Sequence, residues 1–211
     1  MNIVVLAPHP DDESIGCGGS ILLHAAAGDR VTVVFLTSGE LGLDHLPASE
    51  AWEIREREAK VASQILGVAR IEFFRLPDWY VGNAVTEGGG LLRPIIRDEK
   101  PDIIYLPHPK EWHPDHRAAL PIVEGAFSSL GTDLSELRGY EVWTPLTDYD
   151  EVADITAVMR QKLCAVRTYE SQLASFAYDR AVRGLNQYRG ALAGKCRYAE
   201  VFTQIENGVQ P

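Results

Sequence analysis

Two short segments of this chain carry side chains that bind metal ions and move protons. The first, residues 8–13, reads PHPDDE and places one imidazole and three carboxylates directly after the hydrophobic run 3–7. Folding does not require so much polar chemistry at the exit of a buried strand. A divalent cation does, because it takes a His nitrogen and a carboxylate oxygen together and lets a free carboxylate accept the proton of a bound water.

The second segment supplies the histidines that the first lacks. It follows the hydrophobic run 103–107 and reads HPKEWHPDH over residues 108–116, with Asp115 between His113 and His116. One short His/Asp pattern arises readily by chance. Two such patterns, each at the exit of a predicted strand, predict a single shared metal site.

Three of these side chains are predicted to be the metal ligands. His9 and Asp12 lie on one proline-bearing turn, so both can face the same ion, and His116 completes the set from the second segment. Three protein ligands leave a coordination position open for water, as in catalytic zinc sites. The mixed nitrogen and oxygen donors predict one Zn²⁺ per chain, and they also suit another divalent first-row metal.

The other acidic and imidazole groups are predicted to handle protons and charge. Asp11 is expected to point away from Asp12, which makes it the general base for the bound water; holding a ligand in place is its alternative role. His113 is expected beside the open position, where its imidazolium would stabilise an oxyanion or protonate a leaving amine. Asp115 is expected to hold one histidine in its working tautomer.

Strand-like and helical patterns alternate as far as Asp150, which predicts βαβ units and a parallel sheet. We predict an α/β fold: a Rossmann-like, doubly wound, mainly parallel sheet with the core order 3-2-1-4-5, followed by a mainly helical C-terminal part. In that order the first and fourth strands are neighbours, so both motifs meet at one edge of the sheet. The predicted strands are 3–7, 31–36, 71–75, 103–106, 141–143 and 198–202, and the predicted helices are 14–27, 51–66, 90–97, 116–130, 152–168 and 171–193.

Composition predicts a single globular domain over residues 1–211. Hydrophobic residues make up 45% and charged residues 24% of the chain, close to the globular average. The formal net charge of the chain is −10. Nucleic-acid binding requires a basic surface, so this charge argues against it. The three cysteines form no CxxC pair, and no apolar run is long enough to span a membrane. No signal-peptide pattern follows Met1. We therefore expect a cytoplasmic protein without a membrane span.

A glycine-rich run after the first motif could suggest a dinucleotide site. Gly16 and Gly18 match the first two positions of the dinucleotide fingerprint, but its last position is Ile21. The carboxylates of residues 11–13 would also repel a pyrophosphate. We therefore reject NAD and interpret the glycines as sites of close helix–sheet packing.

The two motifs together resemble those of the LmbE-like (PIG-L) zinc deacetylases, which remove acetyl groups from N-acetylglucosamine-containing compounds. The resemblance covers most of the chain, and several of its segments are similar to those of the bacillithiol-type members. The segments that carry it are APHPDDE at 7–13, TSGE at 37–40, REREAKVASQILGV at 55–68, LPD at 76–78, HPDH at 113–116 and YAE at 198–200.

The resemblance implies the same roles for the motif residues as their spacing does, and it adds two more residues. It implies that Arg55 and Asp78 contact the substrate. It also implies a homo-oligomer, either a trimer or a hexamer. No nucleic-acid partner is expected.

Motifs and resemblance together predict a zinc-dependent hydrolase. Its substrate would be a small molecule that contains N-acetylglucosamine, such as a glycoconjugate or a thiol-cofactor precursor, and its product acetate. An amidase that acts on another amide, such as a thiol conjugate, is the alternative with the same site. A non-catalytic metal- or sugar-binding module is the alternative from a different class.

Overall fold

The computed structural model describes residues 1–131 and 135–206 and contains a single mixed β-sheet. Its strands are β1 (Asn2–Ala7), β2 (Arg30–Phe35), β3 (Arg70–Phe73), β4 (Ile103–Pro107), β5 (Glu136–Tyr140), β6 (Glu151–Asp154) and β7 (Ala199–Gln204). They are arranged in the order β3-β2-β1-β4-β5-β7-β6. The first five strands are parallel, whereas β7 runs antiparallel to both β5 and β6.

Helices cover both faces of the sheet. They are α1 (Asp12–Ala26), α2 (Ala48–Leu66), α3 (Val85–Glu99), α4 (Pro114–Leu130), α5 (Met159–Val166), α6 (Glu170–Leu173) and α7 (Tyr178–Arg189). None of the helices in the described residues has both the length and the apolar character to cross a bilayer.

Alternating side chains of the central strand explain the two-sided core. Ile3 and Val5 pack in one buried cluster with residues of α1 and α2, whereas Val4 and Leu6 pack in another with residues of α3 and α4. A strand that is covered on both faces must be apolar along its buried length, and β1 is apolar and buried from Ile3 to Ala7. The predicted doubly wound fold with the core order 3-2-1-4-5 is therefore confirmed.

The strand register brings the two motifs together. Ile3 of β1 is the partner of both Val31 in β2 and Ile103 in β4. β1 and β4 are parallel neighbours, so the segments that leave their carboxyl ends enter the same edge of the sheet. Ligand sites in open α/β sheets lie at this edge, where the strand order reverses.

The C-terminal part differs most from the prediction. The fifth strand is Glu136–Tyr140 rather than 141–143, and the predicted helix 152–168 begins instead with the strand β6. The predicted helix 171–193 is divided into α6 and α7, and α3 starts at Val85, before the start of the predicted helix 90–97. The strands form here because β7 offers partners on both of its sides, a tertiary effect that overrides local preference.

A buried ion pair joins this C-terminal part to α1. Lys162 Nζ lies 2.7 Å from Glu200 Oε1 and donates to Asn186 Oδ1 at 2.9 Å. The backbone N–H groups of Gly19 and Ser20 donate to Glu200 at 2.7 and 2.8 Å, just after a kink in α1. The carboxylate thereby caps the second half of α1. We call these residues the Lys162–Glu200 cluster.

Candidate metal centre

Three donor atoms from the two motifs form a nearly equilateral triangle. His9 Nδ1 lies 3.3 Å from His116 Nε2, and Asp12 Oδ2 lies 3.2 Å from each of these nitrogens. Ligands placed roughly 2.0–2.2 Å from a tetrahedral zinc ion stand roughly 3.3–3.6 Å apart. The observed edges therefore fit three ligands of a single cation.

Neighbouring carboxylates determine which nitrogen of His9 faces the triangle. The Nε2 atom of His9 lies 3.1 Å from Asp78 Oδ1 and 3.2 Å from Asp115 Oδ2. These acceptors hold the imidazole proton on Nε2, and the Nδ1 lone pair is left for a metal ion. Asp115 thus has the tautomer-setting contact that its place in the motif predicts.

Two other groups of side chains also lie close enough together to share a cation: His9 with His113 and His116, and His9 with Asp78 and Asp115. We favour the triangle because its two imidazole nitrogens face each other and Asp12 Oδ2, which also accepts the N–H of His9 at 2.9 Å. His113 Nδ1 already accepts the backbone N–H of Asp115 at 3.2 Å. The Asp78 and Asp115 oxygens lie on the opposite side of the His9 ring.

The electrostatics of the triangle favour positive charge. Burial opposes ionisation of His9, but hydrogen bonds to Asp115, Asp12 and Asp78 raise its pKa well above the usual range. Burial also opposes ionisation of Asp12, but the charge and hydrogen bond of His116, followed by those of His9, lower its pKa. A divalent cation would satisfy these carboxylates in place of the imidazole protons.

Asp11 is held in an unusual backbone conformation beside the triangle. Its φ is +125° and its ψ is −28°, which is rare for any residue other than glycine and is typical of functional sites. Its N–H donates to Glu13 Oε2 at 3.1 Å. Arg55 Nη2 donates to Pro10 O at 2.6 Å and lies 3.4 Å from Asp11 Oδ2. These contacts turn the Asp11 carboxylate toward Arg55.

The pKa of Asp11 suits a general base at neutral pH. Burial raises it to about 7, while the positive charge of Arg55 works in the opposite direction. A carboxylate with a pKa near the working pH can both accept and return a proton.

His113 begins helix α4 and packs between aromatic and imidazole rings. Its ring centroid lies 4.8 Å from that of His9, 4.9 Å from that of His116 and 4.4 Å from that of Trp79. Burial, followed by the charges of His9 and His116, lowers its pKa to about 4. At neutral pH the ring is therefore neutral, rather than the imidazolium expected from the sequence. Since Nδ1 accepts from Asp115, the proton lies on Nε2, which can donate.

Glu111 is a buried member of the site to which the sequence analysis gave no role. Its Oε1 accepts the N–H groups of Val142, Trp143 and Thr144 at 2.9, 2.9 and 3.0 Å. Its Oε2 lies 3.7 Å from His116 Nδ1, and neither of these buried atoms has a hydrogen-bond partner among the described residues. The sequence signal for this role is the position of Glu111, an acidic residue two positions before His113.

Arg55 and Asp78, the two expected substrate contacts, both lie within the site. Arg55 is 2% exposed and Asp78 is 6% exposed. Asp78 also accepts the N–H of Leu41 at 2.9 Å, which connects the 3₁₀ turn Glu40–Leu43 to the metal centre. Their charged partners within the site are Asp11 for Arg55 and His9 for Asp78, and substrate contact remains a prediction.

The fold and this site define an α/β protein with a candidate His/Asp metal centre, flanked by a carboxylate that is poised to accept a proton. The arrangement is that of a metal-assisted hydrolase. The chain belongs to the PIG-L family, described as GlcNAc-PI de-N-acetylase, whose family model matches residues 4–127. The matched segment contains both motifs and ends within α4.

The names of similar proteins are consistent with this family assignment. The chain is 32% identical to a diacetylchitobiose deacetylase of Thermococcus kodakarensis, over 94% of this chain and 80% of the relative. The structure of the N,N'-diacetylchitobiose deacetylase from Pyrococcus horikoshii has a TM-score of 0.82 and 27% identity, over 97% of this chain and 83% of that one.

One neighbour with the same fold carries the name of a different reaction. The 4-carboxy-2-hydroxymuconate hydratase from Pseudomonas putida KT2440 has a TM-score of 0.81 at 21% identity and covers 100% of this chain and 98% of that one. At that identity the likeness shows the fold alone. The function must therefore be argued from the site and the family.

Proposed function

We propose that this protein is a zinc-dependent hydrolase that removes the N-acetyl group from a small molecule containing N-acetylglucosamine and releases acetate. The observation that carries the proposal is the donor triangle of His9, Asp12 and His116 with the Asp11 carboxylate beside it. The description of the family and the names of the two deacetylase relatives above both specify deacetylation.

His9, Asp12 and His116 would hold the cation. When bound, a divalent cation supplies Lewis acidity: it polarises a carbonyl oxygen and makes water more acidic. Asp11 takes a proton from the attacking water, whose oxygen forms a bond to the acetyl carbon. The Nε2–H of His113 donates to the oxyanion that develops on the former carbonyl oxygen.

Asp11 then serves as the acid that completes the reaction. Having accepted a proton, and with a pKa of about 7, it can return that proton to the amide nitrogen as the C–N bond breaks. The products are acetate and a free amine. The same carboxylate thus acts first as base and then as acid, which requires a pKa near neutrality.

The other site residues position these groups. Asp115 and Asp78 hold the Nε2 proton of His9, and Asp115 also accepts the N–H groups of Trp79 and Val81 at 2.6 and 3.0 Å. Through these bonds it links the loop before α3 to the metal ligands. Glu111 faces the proton-bearing side of His116 in the same way.

Acetate release from a panel of N-acetylated sugars tests this proposal. We expect N-acetylglucosamine conjugates to release one acetate per amine formed and the activity to disappear with a chelator. The hydratase named above shares the fold, but addition of water to a double bond releases neither product. Turnover of a thiol-conjugate amide alone would favour the amidase, and zinc binding without any turnover would favour a binding module.

Three expectations from the sequence remain predictions of this proposal. A trimer or hexamer is tested by light scattering of the purified chain. Cytoplasmic location is tested by fractionation of cells that express it. The identity of the metal is tested by elemental analysis of protein purified without added metal.

A further inference from the structure

An apolar cavity of about 470 Å³ lies between the start of α1 and the C-terminal part of the chain. Its volume lies within the range of roughly 300–1,000 Å³ that is typical of small-molecule sites. No charged side chain of the described residues lines it. The side chains that shape it most are Ile15, Trp143, Phe176, Tyr178, Val182 and Leu185.

The only amide that lines the cavity is already engaged. Asn186 Oδ1 accepts from Lys162 Nζ at 2.9 Å, and Asn186 Nδ2 donates to Ala199 O at 3.0 Å. The cavity therefore offers little to a polar or anionic group, and a phosphate or carboxylate there would lose its water without a partner. Its chemistry suits an alkyl or aryl group.

Two residues that line the cavity are hydrogen-bonded to residues of the candidate active site. The N–H of Ile15 donates to Asp11 O at 2.9 Å, and the N–H of Trp143 donates to Glu111 at 2.9 Å. Burial, followed by the negative charges of Asp11 and Asp12, raises the pKa of Tyr178, which therefore lies within electrostatic reach of both carboxylates.

A series of aromatic rings runs from the site to the cavity. The Trp112 ring lies 5.4 Å from that of His113 and 6.2 Å from that of Trp143, which in turn lies 5.8 Å from Phe176. Trp112 and Phe176 are 53% and 52% exposed. Large apolar faces left in water next to a cavity mark a binding surface.

We propose that this cavity is a subsite for an apolar aglycone, a short alkyl chain or an aryl ring attached to the amino sugar. The inference rests on the proposed function, because that function identifies which end of the substrate needs the space. The acyl group to be removed has only two carbons and needs no such cavity. The apolar lining must therefore serve the part of the substrate that lies beyond the sugar.

Alkyl glycosides of N-acetylglucosamine test the subsite. Each buried methylene strengthens binding roughly fourfold, so we expect kcat/KM for the hexyl glycoside to exceed that for the methyl glycoside at least tenfold. Ala181 lines the cavity on α7 and is exposed, so Ala181→Trp should fill the cavity and remove most of this preference. Gln187→Trp, at an exposed position of α7 that does not line the cavity, is the matched control and should keep it.

A binding measurement separates this inference from the proposed function. Hexyl glucoside has no acetamide, and calorimetry should show that it binds more tightly than methyl glucoside to the wild type and to Gln187→Trp, but not to Ala181→Trp. That pattern supports the subsite even if no acetate is released from any substrate. Equal kcat/KM for the methyl and hexyl glycosides, or a preference for N-octanoyl- over N-acetylglucosamine, would overturn it.

Discussion

Two polar clusters in this molecule are both buried, but they differ in what they hold. In the Lys162–Glu200 cluster one ammonium meets one carboxylate, and the amide of Asn186 and two backbone N–H groups complete the bonding. Around His9 and His116, carboxylates outnumber the imidazoles, and buried atoms of His116 and Glu111 form no hydrogen bond within the part of the chain that the structure describes.

The difference lies in whether the charges are already balanced. A cluster whose charges and hydrogen bonds are satisfied needs nothing from outside, and its role is to fix the packing of the elements it joins. A cluster with an excess of acceptors and unpaired buried atoms is costly to maintain. Such a cost is expected where a ligand completes the set, so we expect a ligand at the second cluster and none at the first.

The largest expected effect is at Asp11. Asp11→Asn should lower kcat by about 10²–10⁴-fold while zinc content stays unchanged, because the carboxylate handles the proton and is not a ligand. Asn is preferable to Ala because it tolerates the positive φ at this position better. Steady-state acetate release with parallel metal analysis measures both. Asp98→Asn, on an exposed carboxylate, is the control, and near-normal turnover of Asp11→Asn would refute the base assignment.

The Lys162–Glu200 cluster should respond in stability instead of activity. Lys162→Met leaves the Glu200 carboxylate buried without its cation and should lower the free energy of unfolding by about 3–5 kcal/mol. The double variant Lys162→Met with Glu200→Gln should lose less, since no charge is left unpaired. Urea denaturation measures both variants. Loss of zinc affinity with unchanged stability would show that the two clusters are not separate in role.

Substitution of Glu111 should have a smaller effect, which is a loss of affinity for the metal. With His116 Nε2 directed to the cation, Nδ1 carries the proton and needs an acceptor, which Glu111 Oε2 faces from 3.7 Å. Glu111→Gln would place either a weaker acceptor or an N–H donor there, so zinc affinity should fall about 10- to 100-fold. Competition with a fluorescent chelator measures it, with the exposed Glu124→Gln as control. Equal affinity in all three proteins would remove Glu111 from the positioning role.

The pH profile should show the smallest change. Asp11 acts as a base only when deprotonated, so kcat/KM should fall as pH drops below its pKa. The value is about 7 without a cation, and a nearby cation lowers it, which puts the acid limb at or below about 7. The positive charge of Arg55 also lowers this pKa, so Arg55→Gln should move the limb to higher pH. An unmoved or lowered limb would contradict the coupling.

The sequence predicted the parts of the molecule that local patterns determine. Strands such as β1 carry an unbroken apolar run, here residues 3–7, and their alternation with helices implies the sheet order that joins His9 to His116. The fifth strand was misplaced because Glu136–Tyr140 contains Arg138 and Gly139, a weak strand signal. Gly139 fits there for a tertiary reason: an added Cβ would lie 2.8 Å from Thr203 and 2.9 Å from His108.

The site was predicted in part for the same reason. Residues inside the two motifs could be placed together because their strands are neighbours. The approach of Glu111 to His116 depends on the loop 142–144, and the approach of Asp78 to His9 depends on the loop before α3. Neither loop conformation is encoded by a local pattern, so the sequence alone could not assign these contacts.

The central claim is that one cation, held by His9, Asp12 and His116, is required for the reaction. The most direct measurement is acetate release from an N-acetylglucosamine conjugate as zinc is added back to the metal-stripped chain. Activity should start near zero and rise to a plateau at one equivalent of zinc per chain. Full activity of the stripped chain, or no recovery at any zinc concentration or with another first-row metal, would contradict the account.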